Sequence, residues 1–248
     1  MAECLFPSRN LYVAIEGIIA CGKSALLRRL SFDRDLHCVS EPVHLFQSFG
    51  RHNPLALQYT DPSRSLVVAQ HHIMRMSAAH YRAEVPDDDA LLEGKVILSE
   101  RSILSPIAFI NANYERGQFS DFAREYLLEE LQSLSVGVRR PDAVIFISAS
   151  PDLCQSRIHL RNREGEEACD MQLQESLARS YEAVLAAAGV PVHVISPHCE
   201  STYDDLCLQV RRILRNMLAE RARVSGKDNN NNNEDGAIFG ASGDGEWG

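Results

Sequence analysis

Two glycines, Gly17 and Gly22, stand five positions apart, with Lys23 and Ser24 directly after the second. Residues 11–16 ahead of them (LYVAIE) are apolar and bounded by turn formers, as a strand buried on both faces requires. Residues 24–31 behind them (SALLRRLS) carry leucines at helical spacing. Strand, glycine loop and helix in that order commit the chain to a parallel sheet, because the helix buries its apolar stripe only by packing back over the strands. The spacing G-x-x-x-x-G-K-S adds chemistry to shape. Backbone N–H groups along Gly17, Ile18, Ile19, Ala20, Cys21 and Gly22 can wrap phosphate oxygens, Lys23 can reach the β and γ oxygens, and the Ser24 hydroxyl can take Mg²⁺. Such loops serve switches, motors and phosphate transfer alike, so the rest of the chain has to supply the acceptor side.

Further strands are expected at residues 37–40, 96–99, 143–148 and 190–195, and helices at 63–85, 119–135, 151–161, 171–188 and 203–221. The alternation predicts an α/β fold of P-loop type: a parallel five-stranded sheet flanked by helices. Ligands in such sheets sit beyond the carboxyl ends of the strands. At 45% hydrophobic residues, the chain can bury one good core over residues 1–222. From residue 223 to 248, Gly, Asn and acids without periodicity read as a disordered tail, and residues 86–90 (PDDDA) as a solvated acidic loop. A net charge of −9 argues against a nucleic-acid groove. Seven cysteines with no C-x-x-C pair suggest free thiols in a reducing compartment. No apolar run is long enough for a membrane span and the start lacks a secretory pattern, so the expected location is the cytoplasm.

Three stretches place charge directly after strands. In VSEPV, Pro42 forces Glu41 into an extended conformation, aiming a carboxylate toward the phosphate loop, where an acceptor hydroxyl needs a base. The same position suits an N-cap for the helix that follows, and the sequence leaves both readings open. In VILSERS, Glu100 can serve Mg²⁺ and Arg101 can grip the acceptor or the moving phosphoryl group; the strand-end position favours this over a surface ion pair. In RIHLRNREGEE, Arg157, Arg161 and Arg163 run from a helix into a polar glycine-containing segment. Alone they would pass for a solvated basic face; beside a phosphate loop they suit a lid.

These stations in this order resemble the deoxyribonucleoside kinase family over roughly residues 10–215. The resemblance implies that Glu41 is the base for a 5′-hydroxyl, that Arg101 orients that hydroxyl, and that Glu100 and Ser24 serve Mg²⁺ bound with ATP. It places Arg161 and Arg163 at the transferring group and Arg157 with ATP. It also implies a nucleoside pocket in which Gln70 reads the base, Tyr59 and Glu166 hold the sugar, and Phe46 stacks. A second stacking aromatic is expected near residue 110, where the chain has Phe109 and Ile110, and the sequence does not say which faces the base. Members favouring deoxycytidine and purines carry an arginine and an aspartate where this chain has Ser77 and Pro106, so thymidine is the expected substrate and deoxycytidine a possible second. Arg75, on the same helix, is the main threat to that expectation. The small-molecule partners implied are ATP and a nucleoside, and the implied assembly is a homodimer. A GTPase would need D-x-x-G and N-K-x-D, both missing from the chain. A kinase acting on nucleoside monophosphates would place an arginine just before Glu41-Pro42, where Ser40 stands, and a non-catalytic ATP-binding module would need neither Glu41 nor the lid.

Overall fold

Five apolar runs become five strands: β1 (Tyr12–Glu16), β2 (Leu36–Val39), β3 (Val96–Glu100), β4 (Ala143–Ile147) and β5 (Val192–Ile195). All neighbours pair in parallel, in the order β2-β3-β1-β4-β5. Every residue of β1 and β3 is buried, which is why both read as near-continuous apolar runs. The computed structural model describes residues 10–86, 92, 94–197 and 202–234. Residues 87–90 of the expected acidic loop lie outside them, as do Cys4 and Cys199; Cys21, Cys38, Cys154 and Cys169 are free thiols.

The helices are α1 (Lys23–Leu30), α2 (Val43–Phe46), α3 (Pro54–Thr60), α4 (Pro62–Glu84), α5 (Leu104–Glu115), α6 (Asp121–Leu134), α7 (Pro151–Arg161), α8 (Met171–Ala186) and α9 (Tyr203–Glu234). Six were expected, five of them within a few residues of both ends; α9 alone runs well past its expected end. The start of α7 falls where sequence rules put it: Ser150 accepts a hydrogen bond from the Leu153 backbone N–H, with proline as the first helical residue. Three helices were not anticipated. The first two, α2 and α3, are short. The third, α5, is longer but buries Ser105, Pro106, Ala108, Ile110, Ala112 and Asn113 around its circumference, so it lacks the polar face that marks a surface helix.

Contacts divide the chain into two units, Met1–Cys207 and Leu208–Gly248. The sheet and helices α1 to α8 belong to the first. In the second, the described residues continue α9, which runs past the expected domain limit at residue 222 to Glu234; residues 235–248 of the expected tail lie outside the described residues. Among the described residues no helix is long and apolar enough to cross a membrane.

Register fixes the working edge. Ile15 pairs with Glu100 and Val39 with Ser99, so β1, β2 and β3 end nearly level. The segments that leave them therefore emerge side by side.

Candidate active site

Gly17 leaves β1 at a φ of 149°, and a Cβ there would sit 2.7 Å from Cys21 Sγ and 2.9 Å from the Ile147 carbonyl oxygen. Ala20 at φ 60° and Gly22 at φ 112° complete a run of positive φ angles that turns the loop around a centre. Lys23, 4% exposed, folds into this loop and donates to the carbonyl oxygens of Gly17 at 3.0 Å and Ile18 at 2.8 Å. Ser24 Oγ donates to Glu100 Oε1 at 2.6 Å. A hydroxyl has one proton, so spending it on Glu100 leaves the Ser24 lone pairs for a cation. No group of three or more His, Cys, Asp or Glu side chains suited to a metal occurs among the described residues. A cation held by the oxygens of Ser24 and Glu100 would complete its shell with phosphate oxygens and water, the pattern Mg²⁺ favours.

Glu41 follows β2 and Arg101 follows β3, and Glu41 Oε1 lies 3.0 Å from Arg101 Nε. That nitrogen has no well-aligned hydrogen bond, so the contact is charge attraction without tight directionality. The N-cap of α2 is Pro42, with no side-chain cap hydrogen bond, which removes the capping alternative for Glu41. Arg101 itself sits at φ 66°, a left-handed conformation costly for a residue with a side chain. Its surroundings hold it there. Its backbone N–H donates to Ile15 O at 2.9 Å, and Nη1 donates to Gly17 O at 3.2 Å, Ser105 Oγ at 3.2 Å and Tyr181 OH at 2.6 Å. The guanidinium lies over the Phe109 ring, 5.1 Å from its centroid.

Sequence reasoning missed what stands behind Arg101. Glu16, the last residue of β1, is fully buried and accepts from Ser102 Oγ at 2.7 Å, Ser105 Oγ at 2.5 Å and Tyr181 OH at 3.2 Å. Burial pushes its carboxyl above the ordinary range, against the opposing pull of Arg101 and the two serine hydroxyls. Tyr181 and Ser105 touch both Glu16 and Arg101, so the loop, the β3 end and α8 share one polar network. A charge ending a strand buried on both faces was the signal available for Glu16.

The arginine segment leaves α7. Arg157 Nη1 donates to Cys21 O at 3.1 Å, and both Arg161 and Arg163 pair with Glu166, the latter at 2.9 Å. Glu166 is only 2% exposed, so its two cations compensate a buried charge.

One cavity of about 390 Å³ gathers these groups. Glu41, Phe46, Tyr59, Gln70, Glu100, Arg101, Arg157, Arg161, Arg163 and Glu166 line it, as do Ile19, Ala20, Gly22, Lys23 and Ser24. Gly17, Ile18 and Cys21 shape the loop without lining the cavity. Phe109 lines it, whereas Ile110 is buried in the core among α4, α5 and α6. Ser77 and Pro106 line it; Arg75 is exposed and does not. Gln58 and Tyr203 also line it and were not anticipated.

Residues 13–215 match the deoxynucleoside kinase family. Human mitochondrial thymidine kinase 2 is 29% identical over 176 residues, covering 68% of this chain and 62% of the human protein. Deoxycytidine kinase 2 of Gallus gallus is 26% identical over 210 residues, 73% of this chain and 76% of the relative. Deoxyadenosine kinase of Dictyostelium discoideum is 26% identical over 176 residues, 70% and 66% respectively. These relatives are named for three different bases, so similarity alone leaves the base open. A match across most of the chain, on a parallel sheet with a phosphate loop after its central strand, identifies the chain as a member of the deoxynucleoside kinase family.

Proposed function

We propose that the chain transfers the γ-phosphate of ATP to the 5′-hydroxyl of a deoxyribonucleoside, with thymidine preferred and deoxycytidine also accepted. The observation that carries this reading is the Glu41–Arg101 pair, 3.0 Å apart, in the same cavity as the phosphate loop and Gln70. The loop wraps the donor phosphates, and Lys23 exchanges its carbonyl partners for phosphate oxygens. Arg101 holds the acceptor hydroxyl against Glu41. As the hydroxyl oxygen bonds to the γ-phosphorus, Glu41 takes its proton, and the bond to the bridging oxygen breaks to leave ADP. Arg161 and Arg163 turn from Glu166 to the transferring group, whose charge they offset, while Glu166 and Tyr59 receive the sugar. Ser24 and Glu100 would hold the Mg²⁺ that accompanies ATP, which supplies charge neutralisation at the β and γ oxygens. The working form we propose is a homodimer, and the free thiols suit a reducing compartment such as the cytoplasm.

Base preference follows from what surrounds Gln70. Its amide can accept from thymine N3–H and donate to O4, or, turned over, serve cytosine N3 and its amino group. Ser77 and Pro106 carry no charge and leave room for thymine's methyl group and O4, and Arg75 stays outside the cavity. A methyl-sized fit discriminates by about 10–200-fold, so deoxycytidine remains a substrate. Incubating the protein with ATP and thymidine, deoxycytidine or thymidine monophosphate tests the reading. We expect phosphorylation of both nucleosides, thymidine favoured, and none of the monophosphate. The Ser77→Arg/Pro106→Asp double variant should lose thymidine activity preferentially. A protein that phosphorylates deoxycytidine or purine nucleosides and ignores thymidine refutes the preference, and one active only on the monophosphate refutes the acceptor class.

A further inference from the structure

Gln70 does not face the cavity alone. Gln58, in α3, is 4% exposed, lines the same cavity, and accepts a hydrogen bond at its Oε1 from Gln70 Nε2 at 2.7 Å. Gln70 is itself 3% exposed, so the two amides meet away from bulk water. A primary amide carries two N–H donors and one carbonyl oxygen. With one N–H given to Gln58, Gln70 keeps one N–H and its oxygen, an adjacent donor and acceptor for a base edge.

The orientation of that donor–acceptor pair is not independent of residue 58. If Gln70 alone turned over, its oxygen would face the Gln58 oxygen, two acceptors at hydrogen-bond distance with no proton between them. In a buried setting that arrangement is costly. If Gln58 turns over as well, its own N–H donates to the Gln70 oxygen and the contact is restored with the opposite sense. The amides therefore invert together. Each sense presents one of the two patterns that distinguish thymine from cytosine, acceptor beside donor or the reverse.

We infer that Gln58 is a specificity-determining positioning residue: through its hydrogen bond it sets the sense of the Gln70 amide, and joint inversion of the pair lets one pocket read both pyrimidines. This rests on the deoxynucleoside kinase reading proposed above. A residue at 58 that only accepts hydrogen bonds would hold Gln70 in a single sense, with its N–H toward residue 58. A residue that neither donates nor accepts would weaken the reader without choosing a sense.

The test compares wild type, Gln58→Glu and Gln58→Leu. For each, kcat/KM is measured with thymidine and with deoxycytidine at about pH 8.5, well above the ordinary carboxyl range, alongside direct calorimetric binding of both nucleosides, the KM for ATP and the thermal midpoint. In Gln58→Glu the thymidine-to-deoxycytidine ratio should move by about tenfold or more, the lower end of what leaving a buried donor or acceptor unpaired costs. At lower pH, where the introduced carboxyl is protonated and can donate as well as accept, the ratio should return toward the wild-type value. In Gln58→Leu both nucleosides should weaken together and the ratio should hold. Equal losses for both nucleosides in Gln58→Glu, with no pH dependence of the ratio, overturn the inference. Binding keeps the two claims apart. A wild type that binds both nucleosides but phosphorylates neither overturns the kinase reading, while the binding ratio in Gln58→Glu still decides the role of Gln58. A wild type that binds neither overturns both.

Discussion

Glu41→Gln should lower kcat by about 10²–10⁴-fold, the usual worth of a positioned general base, while the KM for ATP stays near wild type. Glutamine keeps the length and shape of the side chain and can still approach Arg101 Nε, which Glu41 reaches at 3.0 Å. What it cannot do is receive a proton. The structure removes the chief competing explanation for a loss, since Glu41 makes no cap contact to α2 that the variant would break. The donor side should be untouched, because the contacts that fold Lys23 into the loop and join Ser24 to Glu100 do not involve residue 41. Steady-state rates at saturating nucleoside, paired with ATP titration, make the measurement. Turnover within a few-fold of wild type would take Glu41 out of the mechanism.

The Arg161→Ala/Arg163→Ala double variant should lose about 10³-fold or more in kcat, on the scale of arginines that stabilise a transferring phosphoryl group. The geometry makes the control as informative as the variant. Both arginines clasp Glu166, so removing them also leaves a buried carboxylate uncompensated, and a purely structural clasp would give a loss too. Glu166→Gln separates these causes. It breaks the clasp but leaves both cations available for the phosphoryl group, and its main effect should be a raised KM for the nucleoside, whose sugar we assign to Glu166. If the arginines act on the transition state, kcat in the double variant falls far below that of Glu166→Gln. Matching kcat values and matching drops in thermal midpoint would reduce the lid to a structural clasp.

The parts of this molecule that could be read from its sequence are those where one local rule dominates. The strands announce themselves because β1 and β3 are buried on both faces, and α7 because serine and proline mark its start. Stations at strand ends were legible because parallel topology puts all such ends on one edge. What escaped is long-range or lacks a period. Tyr181 meets Glu16 across 165 residues of chain, and no spacing rule reaches that far. With α5 buried on most sides, its phase was invisible, and with it the choice between Phe109 and Ile110. Gln58 went unnoticed for a related reason. It lies in α3, too short for a periodic pattern, beside Tyr59, and its partner Gln70 stands on the next helix.

The crowding at Gly17 closes a route of mutational escape. A methyl group there meets two obstacles of different kinds, the Cys21 sulfur at 2.7 Å and the Ile147 carbonyl oxygen at 2.9 Å. The first is a side chain, and a smaller residue at position 21 would clear it. The second is backbone at the end of a central strand, present whatever residue occupies position 147. A change at position 21 could therefore clear one obstacle and not the other, so position 17 has no full compensating partner among the groups that crowd it. A selection for second-site revertants of Gly17→Ala should return the glycine codon alone; recovery of a suppressor at Cys21 or Ile147 would mean the loop can open in a way this packing forbids.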